Sequence, residues 1–182
     1  MTKKVPKGFN AHPYPYHHEV ELKIETMTNL GFGIARDEGW VIQVPFVLPG
    51  ELIRARIYRN HKNYSDADSM EILQSSPDRV EAKCKLFGTC GGCQYQSVSY
   101  QKQLEWKRNQ VVECFEKIGG LELTTMPTFP SSKTYGYRSK LTPHYEKSRE
   151  GIERKLGFLK YRSRRILVDV PNCPIATTSI NE

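Results

Sequence analysis

Cys84, Cys90 and Cys93 share one ten-residue stretch, CKLFGTCGGC, and a fourth cysteine, Cys173, stands far downstream in VPNCPIA. Thiolates are soft ligands, and three close together plus one remote can fold round a metal and tie two chain regions to each other. Gly88, Gly91 and Gly92 let the local backbone turn tightly and aim its amides at charged sulfur. Zinc and iron–sulfur clusters both accept four thiolates. The spacing Cys84-x5-Cys90-x2-Cys93 with one distant partner departs from the matched Cys-x2-Cys knuckles of a zinc ribbon and favours a cluster, with zinc as the alternative. Reduced or redox-active cysteines without metal are a third possibility. Cys114, in VVECFEKIG, falls on a helical pattern and reads as a small core residue.

The chain of 182 residues can hold one ordinary domain or two small ones. Its net charge of +7 suits a polyanionic partner. The charge is concentrated, because Lys133 to Arg165 contains eleven Lys and Arg against three Glu. Five cysteines, an odd number and clustered, fit metal ligation in a reducing compartment better than a disulfide framework. No apolar run reaches membrane-spanning length and the start lacks a secretory core, so no membrane partner and a cytoplasmic location are expected.

Positioning these groups requires elements, and the text supplies them in order. Residues 1–16 mix Lys, Pro, Tyr and His without period and read as a flexible leader, with His12, His17 and His18 solvated. From residue 17 to 76 the pattern is β. Val20, Leu22 and Ile24 alternate with charged residues, FGIAR and WVIQVPF follow, and Ile53, Ala55 and Ile57 alternate with Arg54, Arg56 and Arg59. With a further segment at Ser69 to Leu73, these about five strands predict a small OB-like barrel. Gly31-Phe32-Gly33 lies between strands and serves barrel geometry rather than a nucleotide loop.

Residues 77–120 hold the cysteine loop and one amphipathic helix, capped by Ser97 or Ser99 and stopped at Gly119-Gly120. Tyr100, Leu104, Val111, Phe115 and Ile118 mark its packing face. Residues 121–182 begin with a Pro/Ser/Thr connector and continue as strands YRSKLTPHYE, KLGFLKY and RILVDV, with the polar loop KSREGIER between the first two. They predict a partial antiparallel α+β domain that ends in a helix start, ATTSINE. The fold class expected is mainly β with α.

Basic residues interleaved with aromatics recur here. Arg138 and Lys140 follow Tyr135 and Tyr137, and Lys160, Arg162, Arg164 and Arg165 surround Tyr161. Cations neutralise phosphates while rings stack on unpaired bases, so looped or single-stranded RNA is the expected partner. Arg36 and Lys62 on the barrel, with Arg54, Arg56 and Arg59, offer a second contact surface, although a solvated face of alternating charge explains them as well.

In this order, the segments resemble the N-terminal half of the RNA uracil-C5-methyltransferase family, the S-adenosylmethionine-dependent enzymes that form 5-methyluridine in rRNA or tRNA. GFGIAR, VPFVLPGE and SSPDRVEAKC look like its TRAM barrel. CKLFGTCGGCQYQSVSYQKQLEWK looks like its iron–sulfur segment, and GYRSKL with LGFLKYRSRRILVDVPNCPI like its central domain. The resemblance implies that Cys84, Cys90, Cys93 and Cys173 ligate a [4Fe–4S] cluster. It also implies that the S-adenosylmethionine site, the nucleophilic cysteine that attacks C6 of a flipped uracil and the general base belong to a catalytic domain beyond residue 182. None of the five cysteines matches that nucleophile, so the chain alone is expected to bind RNA without methylating it. A stand-alone, metal-stapled RNA-binding module is the alternative.

Overall fold

The computed structural model describes residues 5–124, 127–146 and 154–182. The chain divides into two compact units, Met1–Arg79 and Val80–Glu182.

The first unit is one curled sheet. Its strands are β1 (Glu19–Lys23), β2 (Thr26–Met27), β3 (Phe32–Asp37), β4 (Trp40–Pro45), β5 (Leu52–Asn60) and β6 (Tyr64–Gln74), in the order β1-β5-β6-β4-β3-β2. All pairs are antiparallel except β4 with β6. Three register shifts along β5–β6 bend that long pair, and β1 returns to touch β3. The curl wraps one core of Leu22, Ile24, Ala35, Ile42, Val44, Val47, Ile53, Ala55, Ile57 and Ala67. The alternating residues face outward and pair across strands: Arg54 donates to Glu71 at 2.8 Å, and Arg56 lies 3.7 Å from Asp68. Gly33 is required where β3 passes under the core, because a Cβ there would lie 2.4 Å from a Val47 methyl.

The curled sheet holds a buried ion pair. Glu51 has no exposed surface; it accepts from Leu48 N–H at 2.8 Å and from Arg79 Nε and Nη2 at 2.5 and 2.8 Å. Arg79 Nη2 also donates to the Phe46 carbonyl. A buried carboxylate is tolerated only with such partners, and this pair keeps Arg79 with the first unit.

The leader differs from its expected flexibility where it is described. Asn60 Nδ2 donates to the carbonyls of Asn10 and Tyr14, both at 2.7 Å, and Tyr14 donates its hydroxyl to Asp37 at 2.7 Å. Tyr14 also packs against the core, and His17 and His18 stack on Tyr16 and Tyr14. A Pro/Tyr-rich sequence carries no period, yet its rings and carbonyls suffice to hold it on the sheet.

The second unit contains α1 (Tyr100–Gly119), β7 (His144–Tyr145), β8 (Leu156–Leu159), β9 (Leu167–Asp169) and α2 (Thr178–Asn181); the strands form an antiparallel sheet in the order β7-β8-β9. The Ser99 side chain caps α1 by accepting from Lys102 N–H, and Gly120 ends it in the left-handed conformation at φ 63°. Two expectations fail on this helix. Leu104 is its one buried residue, Val111, Phe115 and Ile118 are exposed, and Cys114 is exposed rather than in the core. The periodicity gives the helix, but among the described residues of this unit nothing covers the later half of its apolar stripe. YRSKLTPHYE is a strand only at His144–Tyr145, because the backbone of residues 136–138 is bound to another segment, described below. Most of KSREGIER lies outside the described residues.

Candidate metal centre

The cysteine loop is built by its own backbone. Phe87 N–H donates to the Cys84 carbonyl at 3.0 Å, and Thr89 and Cys90 N–H both donate to Leu86 O, at 3.0 and 2.8 Å. Gly88 sits at φ 82°, where a side chain would be strained. Beyond this turn the loop becomes an extra edge for the β8–β9 hairpin: Gly91 N–H donates to Leu159 O at 3.0 Å, Tyr161 N–H donates to Thr89 O at 2.8 Å, and Cys90 pairs with Lys160 as an antiparallel bridge.

Cys173 arrives by a separate route. Pro174 and Ile175 carbonyls accept from Gly136 and Arg138 N–H at 3.0 and 2.8 Å, and Thr177 N–H donates back to Arg138 O at 3.0 Å. This pairing is what takes residues 136–138 out of the sheet. The Asn181 carboxamide then clamps Cys173, with Oδ1 accepting from its N–H at 2.8 Å and Nδ2 donating to its carbonyl at 3.2 Å.

All four cysteines, each partly exposed, line one cavity of about 550 Å³, together with Arg138 and Lys140. Burial pushes the Cys90 and Cys93 thiols above the usual range. Hydrogen bonds from Gly92 to Cys90 and from Gln96 to Cys93 oppose this, and the charges of the other cysteines add to it. Cys90 thus feels the charges of Cys84 and Cys173, and Cys93 feels those of Cys173, Cys90 and Cys84; a central cation would turn that repulsion into attraction. Among the described residues, no three His, Cys, Asp or Glu side chains converge closely enough to hold a single metal ion. All four cysteines line this one cavity.

Tyr135 stands beside the set. Its hydroxyl is pushed up first by burial and then by the charge of Cys93, and Lys83 Nζ lies 4.7 Å over its ring.

The sequence-derived basic residues fall into two groups. Lys160, Arg162, Arg164 and Arg165 are exposed on the turn between β8 and β9. That turn is fixed by Lys160 N–H to Ile166 O at 2.8 Å and by the Ser163 hydroxyl, which accepts from Arg165 and Ile166 N–H. Arg138 and Lys140 line the cavity, and Lys160 is paired with Cys90 at its edge. Arg36 and Lys62 belong to the first unit, where Arg36 is ion-paired with Glu25 and Lys62 is exposed between β5 and β6. Sequence reasoning did not find Gln96 or Asn181, since a carboxamide bound to backbone leaves no spacing signature.

No helix among the described residues is long and apolar enough to cross a membrane. No protein-family model matches the chain. It is 37% identical over 180 residues to a tRNA (uracil(54)-C(5))-methyltransferase of Schizosaccharomyces pombe, covering 93% of this chain and 34% of that protein. It is also 37% identical over 157 residues to an uncharacterized RNA methyltransferase of Halalkalibacterium halodurans, covering 86% and 34% respectively. Among solved structures, the Pyrococcus abyssi tRNA (uracil-54, C5)-methyltransferase in complex with S-adenosyl-L-homocysteine matches with a TM-score of 0.54 and 26% identity, over 88% of this chain and 34% of that one. The chain thus spans about a third of the length of the relatives it matches. By these relationships the chain belongs to the RNA methyltransferase family that includes the tRNA (uracil-54-C5)-methyltransferases.

Proposed function

We propose that this chain is the RNA-engaging, cluster-holding N-terminal portion of an S-adenosylmethionine-dependent RNA (uracil-C5-)methyltransferase acting on tRNA or rRNA in the cytoplasm. In this reading residues 17–76 are a TRAM barrel, 77–120 the iron–sulfur loop and helix, and 121–182 part of a central domain. The observation that carries it is the gathering of Cys84, Cys90, Cys93 and Cys173, from two distant segments, on one cavity edged by Arg138 and Lys140. The all-thiolate donor set admits a [4Fe–4S] cluster, with zinc as the alternative; the three-local, one-remote spacing and the family resemblance favour the cluster. When bound, a cluster supplies a fixed inorganic core to which four thiolates are anchored. The residues of the chain do the rest: Gly92 and the Gln96 amide donate to sulfur, and the cysteine loop holds the β8–β9 turn in place. Lys160, Arg162, Arg164 and Arg165 would contact phosphates, while Arg36 and Lys62 offer further contacts on the barrel.

Methyl transfer itself is assigned outside these residues. Cys114 is exposed on α1 and the other four cysteines share the cavity, which leaves no separate thiol poised as a nucleophile among them.

The test has two parts. Protein purified without oxygen should contain near four iron and four sulfide per chain; one zinc without iron would overturn the cluster and leave a stapled RNA-binding module. Replacing Arg162, Arg164 and Arg165 by Glu should weaken single-stranded RNA binding at least tenfold and reduce the slope of log affinity against log salt by about 2, given roughly 0.7 per phosphate contact. Unchanged affinity and slope would move the RNA interface elsewhere.

A further inference from the structure

Gln96 joins two of the cysteines. It is 9% exposed, its Oε1 accepts from Cys84 N–H at 3.0 Å, and its amide donates to the Cys93 sulfur. An apolar residue would fill the same volume without the desolvation cost of a buried carboxamide, which is tolerated when both its ends find partners. Here the two partners are the backbone of one cysteine and the sulfur of another.

Resting on the cluster reading above, we propose that Gln96 is the positioning residue of the cysteine centre: it fixes Cys84 and Cys93 relative to each other, and its N–H on sulfur raises the reduction potential of the bound group. A donor to a ligand sulfur stabilises the more negative, reduced state, and outer hydrogen bonds of this kind also govern how tightly the metal is held. Asn181 provides the internal contrast. Both of its bonds to Cys173 go to backbone, Oδ1 from the N–H at 2.8 Å and Nδ2 to the carbonyl at 3.2 Å. Asn181 orients the remote ligand, whereas Gln96 both orients and tunes.

Two Gln96 variants separate these roles. Gln96→Glu keeps an oxygen for Cys84 N–H but loses the donor to Cys93, and Gln96→Met keeps the volume and loses both bonds. The full chain, purified anaerobically, is assayed for iron and sulfide, midpoint potential by spectroelectrochemistry, and rate of iron loss to a chelator. Gln96→Glu should have a lower potential than wild type and lose iron about tenfold faster. Asn181→Ala should lose iron faster at an unchanged potential. A Gln96→Met protein with wild-type circular dichroism but little iron also supports the positioning role. If both Gln96 variants hold full iron at the wild-type potential and release rate, the proposal is overturned. If wild type itself carries no iron, the cluster reading falls instead, and that result is recognised before any variant is made.

Discussion

In Met1–Arg79 ten apolar side chains, from Leu22 to Ala67, close into a single core, whereas among the described residues of Val80–Glu182 the buried apolar ones are Val98, Leu104, Leu167, Ile175 and Ala176. The second unit meanwhile exposes Val111, Phe115, Ile118, Leu121, Phe129 and Ile166. Its long-range order comes instead from backbone pairing around the cysteines: Gly91 with Leu159, Tyr161 with Thr89, and Arg138 with Ile175 and Thr177. Net hydrogen bonds contribute only about 1 kcal/mol each and cannot substitute for a core. The first unit is thus held by burial of apolar surface, and on the cluster reading proposed above the second would be held by the group its four thiolates bind.

The largest expected effect breaks this contrast open. On the cluster reading proposed above, Cys173→Ser should release the remote segment and unfold Val80–Glu182 while leaving Met1–Arg79 intact, since structural metal–thiolate sites contribute on the order of 10 kcal/mol to folding. Urea titration followed by residue-resolved amide signals would show the two units melting apart. A single transition in which both units shift together would contradict the division.

A smaller, opposite effect is expected from Arg79→Leu, which leaves Glu51 buried without its cation. The first unit should lose about 3–5 kcal/mol, read from its urea midpoint, and on the cluster reading proposed above the iron content should be unchanged. Iron lost in step with barrel stability would show the units to be thermodynamically linked.

The smallest effect sharpens the picture of the leader. Tyr14→Phe removes the bond to Asp37 and should cost the first unit about 1 kcal/mol at neutral pH. Burial, then the bond to Asp37, raises the Tyr14 hydroxyl well above its ordinary value. Its stabilising contribution is therefore complete below the unfolded value of about 10 and is lost as pH rises from there toward the folded value. The wild-type barrel should lose stability above pH about 10 more steeply than the Tyr14→Phe protein, in thermal melts across pH 8 to about 12.

What could be read in the sequence tracks how each element earns its order. Val20, Leu22 and Ile24, like Ile53, Ala55 and Ile57, alternate because one face of the sheet is buried, so β1 and β5 were legible. The first half of β6 was not, because its inward positions are Ser65 and Ala67. Ser65 is acceptable there only because it donates to Asn60 and accepts from Trp40 Nε1. The caps of α1 were legible from Ser99 and Gly120, but which of its apolar residues are covered depends on neighbours that periodicity does not encode. The cysteines announced themselves by type and spacing. Gln96 and Asn181 did not, because their roles come from reaching particular backbone groups after the chain has folded.

Cys84, Cys90 and Cys93 lie within ten residues, while Cys173 is about 80 residues further along. Closing a flexible loop of that length costs about 4 kcal/mol of chain entropy, against half that or less for the short loops among the first three. On the cluster reading proposed above, Cys84, Cys90 and Cys93 would be gathered at low entropic cost from one short segment, and bringing in Cys173 would be the costlier closure. The Asn181 clamp, made from within the same short stretch as Cys173, means that the last ligand arrives already shaped.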